Sequence, residues 1–272
     1  MRFAYRLILF CLGLLVAVPA QWLALKTGSR LLRKIPVWFH RTMLRLLDIR
    51  VEIIGRPSAT DRPLLFVSNH NSWLDIMVLG STVPLVFIAK AEIGSWPLFG
   101  TFARMQRSIF VDRNRRHGTG EVNESIAKML SGGDPVVLFG EGTSSDGNRV
   151  LPFRSALLGG LRDAMEENGR GFVQPVSIAY RKFHGIPMGR RYREIAAWYG
   201  DMDLVPHLVR VVREGAIDVT VSFGPVMAVA HADDRKALSR KLESSVRHLT
   251  SLALAGRTEL LTEAVSLAGE RR

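Results

Sequence analysis

Apolar and polar positions follow two rhythms along this chain. Residues 7–25 carry no charged side chain, and 19 helical residues span roughly 28 Å, about the hydrocarbon thickness of a bilayer. After a basic interval, Ile35, Val37, Trp38, Phe39, Met43, Leu44, Leu46 and Leu47 are interspersed with His40, Arg41 and Arg45, which predicts a second, amphipathic helix. From residue 51 onward the rhythm changes to short β-rich runs separated by helical patterns, the mark of an α/β layer structure. The strands are expected at 51–54, 64–67, 86–89, 109–111, 135–139, 172–179 and 216–223. Helices are expected at 74–80, 97–103, 120–130, 156–168 and 234–255. In the last of these, Leu238, Leu242, Val246, Leu249 and Ala253 form a packing stripe. The pattern divides the chain into a membrane-associated helical segment (1–50), one α/β domain (51–255) and a loosely held tail (256–272).

Composition narrows the partners. The hydrophobic content of 47% over 272 residues is enough for one sizeable core, and the net charge of +12 favours an anionic partner. Nucleic acid, acidic carrier proteins and an anionic membrane surface all qualify. Several basic residues flank the apolar N-terminal stretch, Arg2 and Arg6 before it and Lys26, Arg30, Arg33 and Lys34 after it, which favours the membrane over nucleic acid. Three readings compete for residues 7–25: a cleaved signal peptide, a spanning anchor, and a monotopic insertion that enters and leaves one leaflet. The apolar run continues past Val18-Pro19-Ala20 to Leu25, which disfavours cleavage, and Pro19, Gln21 and the second amphipathic stretch favour monotopic insertion on a cytoplasmic face. Cys11 is the single cysteine, so no intramolecular disulfide forms, as suits a reducing compartment.

The chemistry gathers where strands end. His70 and Asp75 are five residues apart directly after the 64–67 run. Within one helix such residues would point roughly 140° apart, so they meet only if His70 lies in the strand-to-helix turn and Asp75 in the first helical turn. There Asp75 would fix the ring tautomer and leave the other nitrogen to take a proton, although a purely structural hydrogen bond has the same spacing. Arg113 follows the 109–111 run, as an anion ligand or as a solvated charge beside Arg115 and Arg116. Glu141 lies between Gly140 and Gly142 after the 135–139 run, on a tight turn. Gly140-Glu141-Gly142 opens a dinucleotide fingerprint, but Ser145 stands where the third glycine belongs, so the cofactor reading fails. No clustered ligand set supports a metal.

These residues resemble, in four ordered blocks from about 64 to 180, the glycerolipid acyltransferases that make phosphatidic acid from lysophosphatidic acid, and their bacterial relatives that acylate lyso-ornithine lipid. The blocks are Asn69-His70 with Asp75; Arg107-Ser108-Ile109-Phe110-Val111-Asp112-Arg113; Phe139-Gly140-Glu141-Gly142-Thr143-Ser144; and Val173-Gln174-Pro175-Val176-Ser177-Ile178. Arg107 replaces the family's glycine in the second block, and the third lacks the family's proline and final arginine, at Gly140 and Ser144. Arg107, Arg149 and Arg154 are the candidates to replace that lost cation. The 141–153 stretch and the 198–208 segment look closer to the ornithine-lipid branch.

The resemblance implies a mixed, largely parallel sheet flanked by helices, with 51–255 as the catalytic domain. It implies transfer of a fatty acyl group from an acyl thioester to the free hydroxyl of lyso-ornithine lipid or 1-acylglycerol-3-phosphate. His70 would be the base and Asp75 its partner. Arg113, Glu141, Gly142 and Thr143 would bind the acceptor, and Pro175 would shape an acyl channel or be structural. No cofactor or metal is expected; the donor would be an acyl carrier protein or coenzyme A thioester, and the enzyme would sit on the cytoplasmic face of a bacterial inner membrane among membrane lipids, with no nucleic-acid partner. Two other classes compete. A non-catalytic basic lipid-binding protein would explain the charge but not the clustering of His70, Asp75, Arg113 and Glu141 at strand ends. A lipid hydrolase would need Ser68 or Ser72 as nucleophile, and no Gly-x-Ser-x-Gly elbow is present.

Overall fold

The apolar runs become strands of one sheet in the computed structural model, which describes residues 2–111, 118–165 and 169–266. In chain order the strands are β1 (Ile49–Ile54), β2 (Leu64–Ser68), β3 (Val86–Lys90), β4 (Ile109–Val111), β5 (Val136–Phe139), β6 (Arg170–Phe183), β7 (Ile186–Pro187), β8 (Ile217–Phe223) and β9 (Met227–Ala230). The sheet order is β1-β8-β6-β2-β5-β3-β4, with β7 and β9 also paired to β6. From β6 to β4 the strands run parallel; β8 is antiparallel to β6 and carries β1 parallel to itself. The expected mixed, largely parallel sheet flanked by helices is therefore present.

Burial explains the unbroken apolar run Leu64–Val67 of β2. All five residues of β2 are buried; Leu64 and Phe66 enter one core layer, Leu65 and Val67 the other. A strand covered on both faces takes a polar side chain only where it finds a hydrogen-bond partner, as Ser68 does at the strand's end with Asn69 O.

The helices are α1 (Arg2–Thr27), α2 (Leu31–Leu46), α3 (Leu74–Gly80), α4 (Phe99–Met105), α5 (Gly118–Ser131), α6 (Gly159–Asp163), α7 (Leu204–Glu214), α8 (Arg235–Leu254) and α9 (Thr258–Ser266). Asp234 caps α8, accepting from the N–H groups of Lys236 at 2.9 Å and Ala237 at 3.2 Å. Helix α4 starts two residues later than expected, because Leu98 takes a positive φ of 67° and breaks the backbone before it. Of the helix expected over 156–168, residues 166–168 lie outside the described residues and the rest is a 3-10 turn and the five-residue α6. Gly159 and Gly160 approach α5 so closely that an added Cβ would meet Asn123 and Ile126, so packing set these residues and helix propensity suffered.

Helix α1 is long and apolar enough to cross a membrane by length and composition, and it continues through Pro19 without a break. It is tied to the α/β domain near both ends. The Arg6 guanidinium donates to the Val212 carbonyl in α7 at 2.7 Å. The buried Gln21 amide donates to Leu32 and Met105 carbonyls at 3.0 and 2.9 Å. Its remaining face exposes Tyr5, Ile8, Leu12, Leu15, Val16, Trp22 and Leu23, and α2 adds Leu31 and Trp38.

The stretch expected to be a loose tail contains α9 instead. Leu261 has no exposed surface and packs with Ile54, Ala179, Leu249, Leu252 and Ala253 in a small core of its own. The apolar side chains of α9 were too few to stand out in sequence, yet one fully buried leucine is enough to seat a short helix. Leu261→Ala is expected to lower stability by about 2–5 kcal/mol in chemical denaturation. A tail without a fixed seat would leave the transition unmoved.

Candidate active site

Where β2 ends, its backbone must leave the sheet while β6 continues, and two asparagines fill the gap. Asn69 copies the missing strand: its Oδ1 accepts from Ile178 N at 2.8 Å and its Nδ2 donates to Ile178 O at 2.9 Å. Asn71 Nδ2 donates to the same carbonyl at 3.0 Å. His70, between them, is held out of the sheet, and its ring stacks on Phe139 of β5 with centroids 4.0 Å apart.

Asp75 follows in the first turn of α3 and is wholly buried. Its Oδ2 accepts from His70 Nδ1 at 2.8 Å, Asn71 N at 2.6 Å and Ser72 N at 2.9 Å, and its Oδ1 accepts from the Tyr180 hydroxyl at 2.7 Å. Since Nδ1 faces this acceptor it carries the ring proton, which leaves Nε2 with a free lone pair. The His70 side chain keeps 21% of its surface exposed. Burial, followed by the proximity of Asp75, pushes the Tyr180 hydroxyl well above the ordinary tyrosine range, so it stays a donor. The turn between strand and helix required by the five-residue spacing is the one observed.

Glu141 stands on the neighbouring strand end, but its carboxylate points inward. Oε1 accepts from His70 N at 2.9 Å and Oε2 from Leu151 N at 3.1 Å, with 2% of the residue exposed. Burial pushes its carboxyl up to about 7, against the opposite pull of these two N–H groups. Gly142 takes φ +68°, a conformation that favours glycine, and Gly140 lies against the Phe153 ring with no room for a Cβ. The chain then returns to the histidine loop, where Ser145 N donates to His70 O at 2.9 Å and Ser145 Oγ to Asn71 Oδ1 at 3.3 Å. Thr143 is exposed, and among the described residues the N–H groups of Thr143 and Ser144 have no partner.

The other candidates separate. Arg113 lies outside the described residues. Pro175 is buried within β6, between Val173, which pairs with β9, and Val176, which pairs with β8. It sits where one neighbour hands over to the other, so a residue without an N–H is tolerated there. Arg107 cannot replace a cation of the third block. It grips Asp134 bidentately at 2.6 and 3.0 Å, shared with Arg33 at 2.7 Å, at the opposite end of β5 from Glu141. Ser68 and Ser72 are fully buried; the Ser68 hydroxyl donates to Asn69 O and that of Ser72 accepts from Leu74 N, so neither faces the His70 ring as a nucleophile would.

Sequence reading missed Tyr180, Asn71 and Ser145. Asn71 and Ser145 lie within the quoted motifs, where a polar residue next to a histidine or a Glu-Gly turn was the available signal. Tyr180 gave none, because a buried tyrosine in a β-rich run reads as core.

Comparisons with known proteins place the chain among acyltransferases. The family described as Acyltransferase matches residues 50–179. The chain is 48% identical over 242 residues to the lyso-ornithine lipid O-acyltransferase of Brucella abortus, covering 88% of this chain and 90% of that protein. It is 34% identical over 209 residues to the 1-acyl-sn-glycerol-3-phosphate acyltransferase of Neisseria meningitidis, covering 76% and 77%. The crystal structure of the 1-acyl-sn-glycerophosphate acyltransferase of Thermotoga maritima shares the fold, with a TM-score of 0.60 at 21% identity over 92% of this chain and 97% of that one. The family match encloses the His70 turn and the Glu141 turn and ends within β6, and with the relatives' identity and coverage it shows that the chain belongs to the acyltransferase family and is an acyltransferase.

Proposed function

We propose that the protein transfers a fatty acyl group from an acyl thioester to the free hydroxyl of a lysolipid, with lyso-ornithine lipid as the preferred acceptor and 1-acylglycerol-3-phosphate as the second. The observation that carries the mechanism is the fixed His70 tautomer: Nδ1 is held by the buried Asp75, and the side chain keeps 21% of its surface exposed. His70 Nε2 takes the proton of the acceptor hydroxyl as its oxygen attacks the thioester carbon. The tetrahedral oxyanion collapses, the C–S bond breaks, and the departing thiolate receives the proton from the imidazolium. Asp75 stabilises that imidazolium, and Tyr180 and two backbone N–H groups keep Asp75 in place. The thioester is already activated, so no acyl-enzyme is needed. The unpartnered amides of Thr143 and Ser144 are the donors offered to the oxyanion. Glu141 serves as a positioning residue through His70 N.

Lyso-ornithine lipid is placed first because the relatives from Brucella abortus and from Rhizobium meliloti, the latter 44% identical over 246 residues, bear that activity in their names, and because Ser144 stands where phosphate-handling relatives are expected to carry arginine. The donor is an acyl carrier protein or coenzyme A thioester; both are anionic and suit a chain of net charge +12. Attachment is monotopic, on the cytoplasmic face. Arg6 and Gln21 hold α1 along the α/β domain at two points about 22 Å apart, which favours a helix lying in the interface over one leaving it perpendicular.

Purified protein offered both acceptors in parallel with an acyl thioester is expected to acylate lyso-ornithine lipid faster than lysophosphatidate. His70→Ala should abolish transfer to either, and Asp75→Asn should lower kcat by about 10²–10⁴, with the fold retained by circular dichroism. Turnover surviving in His70→Ala would remove the base from the mechanism.

Membrane attachment is tested by flotation with vesicles containing anionic phospholipid. The combined Leu12→Asp, Leu15→Asp and Leu23→Asp variant should stay at the bottom of the gradient, whereas His70→Ala should float like the wild type.

The raised carboxyl of Glu141 makes stability depend on pH. The folded state binds this proton more tightly than the unfolded chain, whose carboxyl has a value of 4.5. Its contribution is complete below that value and is lost as pH rises through about 7, a change of about 3 kcal/mol. Denaturation at pH 5 and pH 8 should show wild-type stability falling by more than that of Glu141→Gln; equal falls would place the titration elsewhere.

A further inference from the structure

The Glu141 turn lacks an arginine at position 144, yet a guanidinium lies on it from another direction. The Arg154 side chain crosses Gly142: an ideal Cβ on that glycine would be 3.1 Å from Arg154 Cδ, 3.3 Å from Nε and 3.7 Å from Cζ. Its base is fixed, since Arg154 N donates to Gly140 O at 2.8 Å and the preceding Phe153 packs on Gly140 and donates its own N–H to Glu243 at 3.0 Å. Its head is exposed and, among the described residues, pairs with no carboxylate. Two nearby arginines are committed otherwise, Arg247 to Glu243 at 2.6 Å and Arg193 to Asn148 at 2.6 Å. Glu141 cannot neutralise Arg154, because both its oxygens are bound to backbone amides within the core.

We infer that Arg154 is the anion ligand of the acceptor site, binding the acidic headgroup of the lysolipid whose hydroxyl His70 deprotonates. A long cation laid over a glycine, with no carboxylate partner among the described residues, is ordered at an entropic cost unless an anion completes it. The turn beneath it is bonded to the His70 loop on both sides, through His70 N to Glu141 and Ser145 N to His70 O, so the bound group is placed on the catalytic side. The ligand chemistry is a carboxylate or a phosphate monoester, each able to take two parallel N–H bonds from the fork. Glycine at 142 is part of the site, for a Cβ there would press on the Arg154 stem at 3.1 Å and displace it.

This inference rests on the lysolipid reading above, and the test separates the two. Arg154→Met keeps the apolar stem over Gly142 and removes the charge, and Arg154→Lys keeps the charge without the fork. Initial rates are measured with lyso-ornithine lipid (carboxylate), lysophosphatidate (phosphate) and neutral 1-acylglycerol, together with equilibrium binding of each lipid to the purified, detergent-solubilised chain. For Arg154→Met the expected result is a rise in KM of tenfold or more for the anionic acceptor the wild type uses, with a tenfold fall in its kcat/KM relative to that of 1-acylglycerol. Arg154→Lys should fall between, and placing arginine at 144 in the Arg154→Met background (Ser144→Arg) should recover most of the loss. Whichever anionic acceptor loses more identifies the headgroup. An unchanged acceptor KM, an equal loss on the neutral acceptor, or a shift confined to the thioester KM overturns the inference. If the wild type acylates neither anionic lipid, the lysolipid reading fails, and the binding comparison alone decides Arg154: a tenfold weaker affinity for an anionic lysolipid supports it, and equal affinity overturns it.

Discussion

One buried carboxylate organises the structure. Asp75 accepts from a ring nitrogen, two consecutive backbone amides and a phenol, and each donor comes from a place the chain could not otherwise keep in register. The amides of Asn71 and Ser72 define the turn that separates β2 from α3. The phenol of Tyr180 arrives on β6, more than a hundred residues later. Remove the acceptor and the first turn of α3, the tautomer of His70 and the seat of Tyr180 lose their common reference; left without it, each buried donor would carry a desolvation penalty. A carboxylate within a core is tolerated only under such complete satisfaction.

Much of this was legible because the sheet is covered on both faces. Leu64 to Val67 had to be apolar throughout, so the polar run that follows marked the strand's end, and the five-residue spacing of His70 and Asp75 then permitted only one local geometry. The direction of Glu141 was not legible: a carboxylate between two glycines on a turn reads as facing a ligand, and only the positions of His70 N and Leu151 N show it turned inward. Arg107 was misleading in the same manner, since its partner Asp134, which Arg33 also pairs with, lies off in sequence. Helix α7 was unforeseen because Pro206 and His207 interrupt a short apolar pattern; in the structure His207 is buried and accepts from the Trp73 indole at 3.0 Å. Such pairings between distant residues leave no periodic trace.

The N-terminal helices show how one segment can serve two solvents. Gln21, unwelcome in a hydrocarbon span, donates its amide nitrogen to carbonyls of α2 and α4, so part of its cost is offset by protein and not by lipid, while its Oε1 is buried with no partner among the described residues. The same helix leaves Leu12, Leu15 and Leu23 exposed on the outer side, where Lys26 lies over the Trp22 ring at 4.1 Å. A polar residue that weakened the case for a spanning helix in the sequence is thus what attaches the helix to the enzyme.

The handover at Pro175 divides β6 into an inner half, flanked by β9 and β2, and an outer half held by β8 and the side chains of Asn69 and Asn71. Ile178 and Tyr180 belong to the outer half, and a slip of one residue there would turn the tyrosine to the other face of the sheet. The register of that half is set by a strand ending at Phe223. A chain emerging from the ribosome therefore carries its histidine and Asp75 long before the strand that fixes the register of Tyr180 has been made.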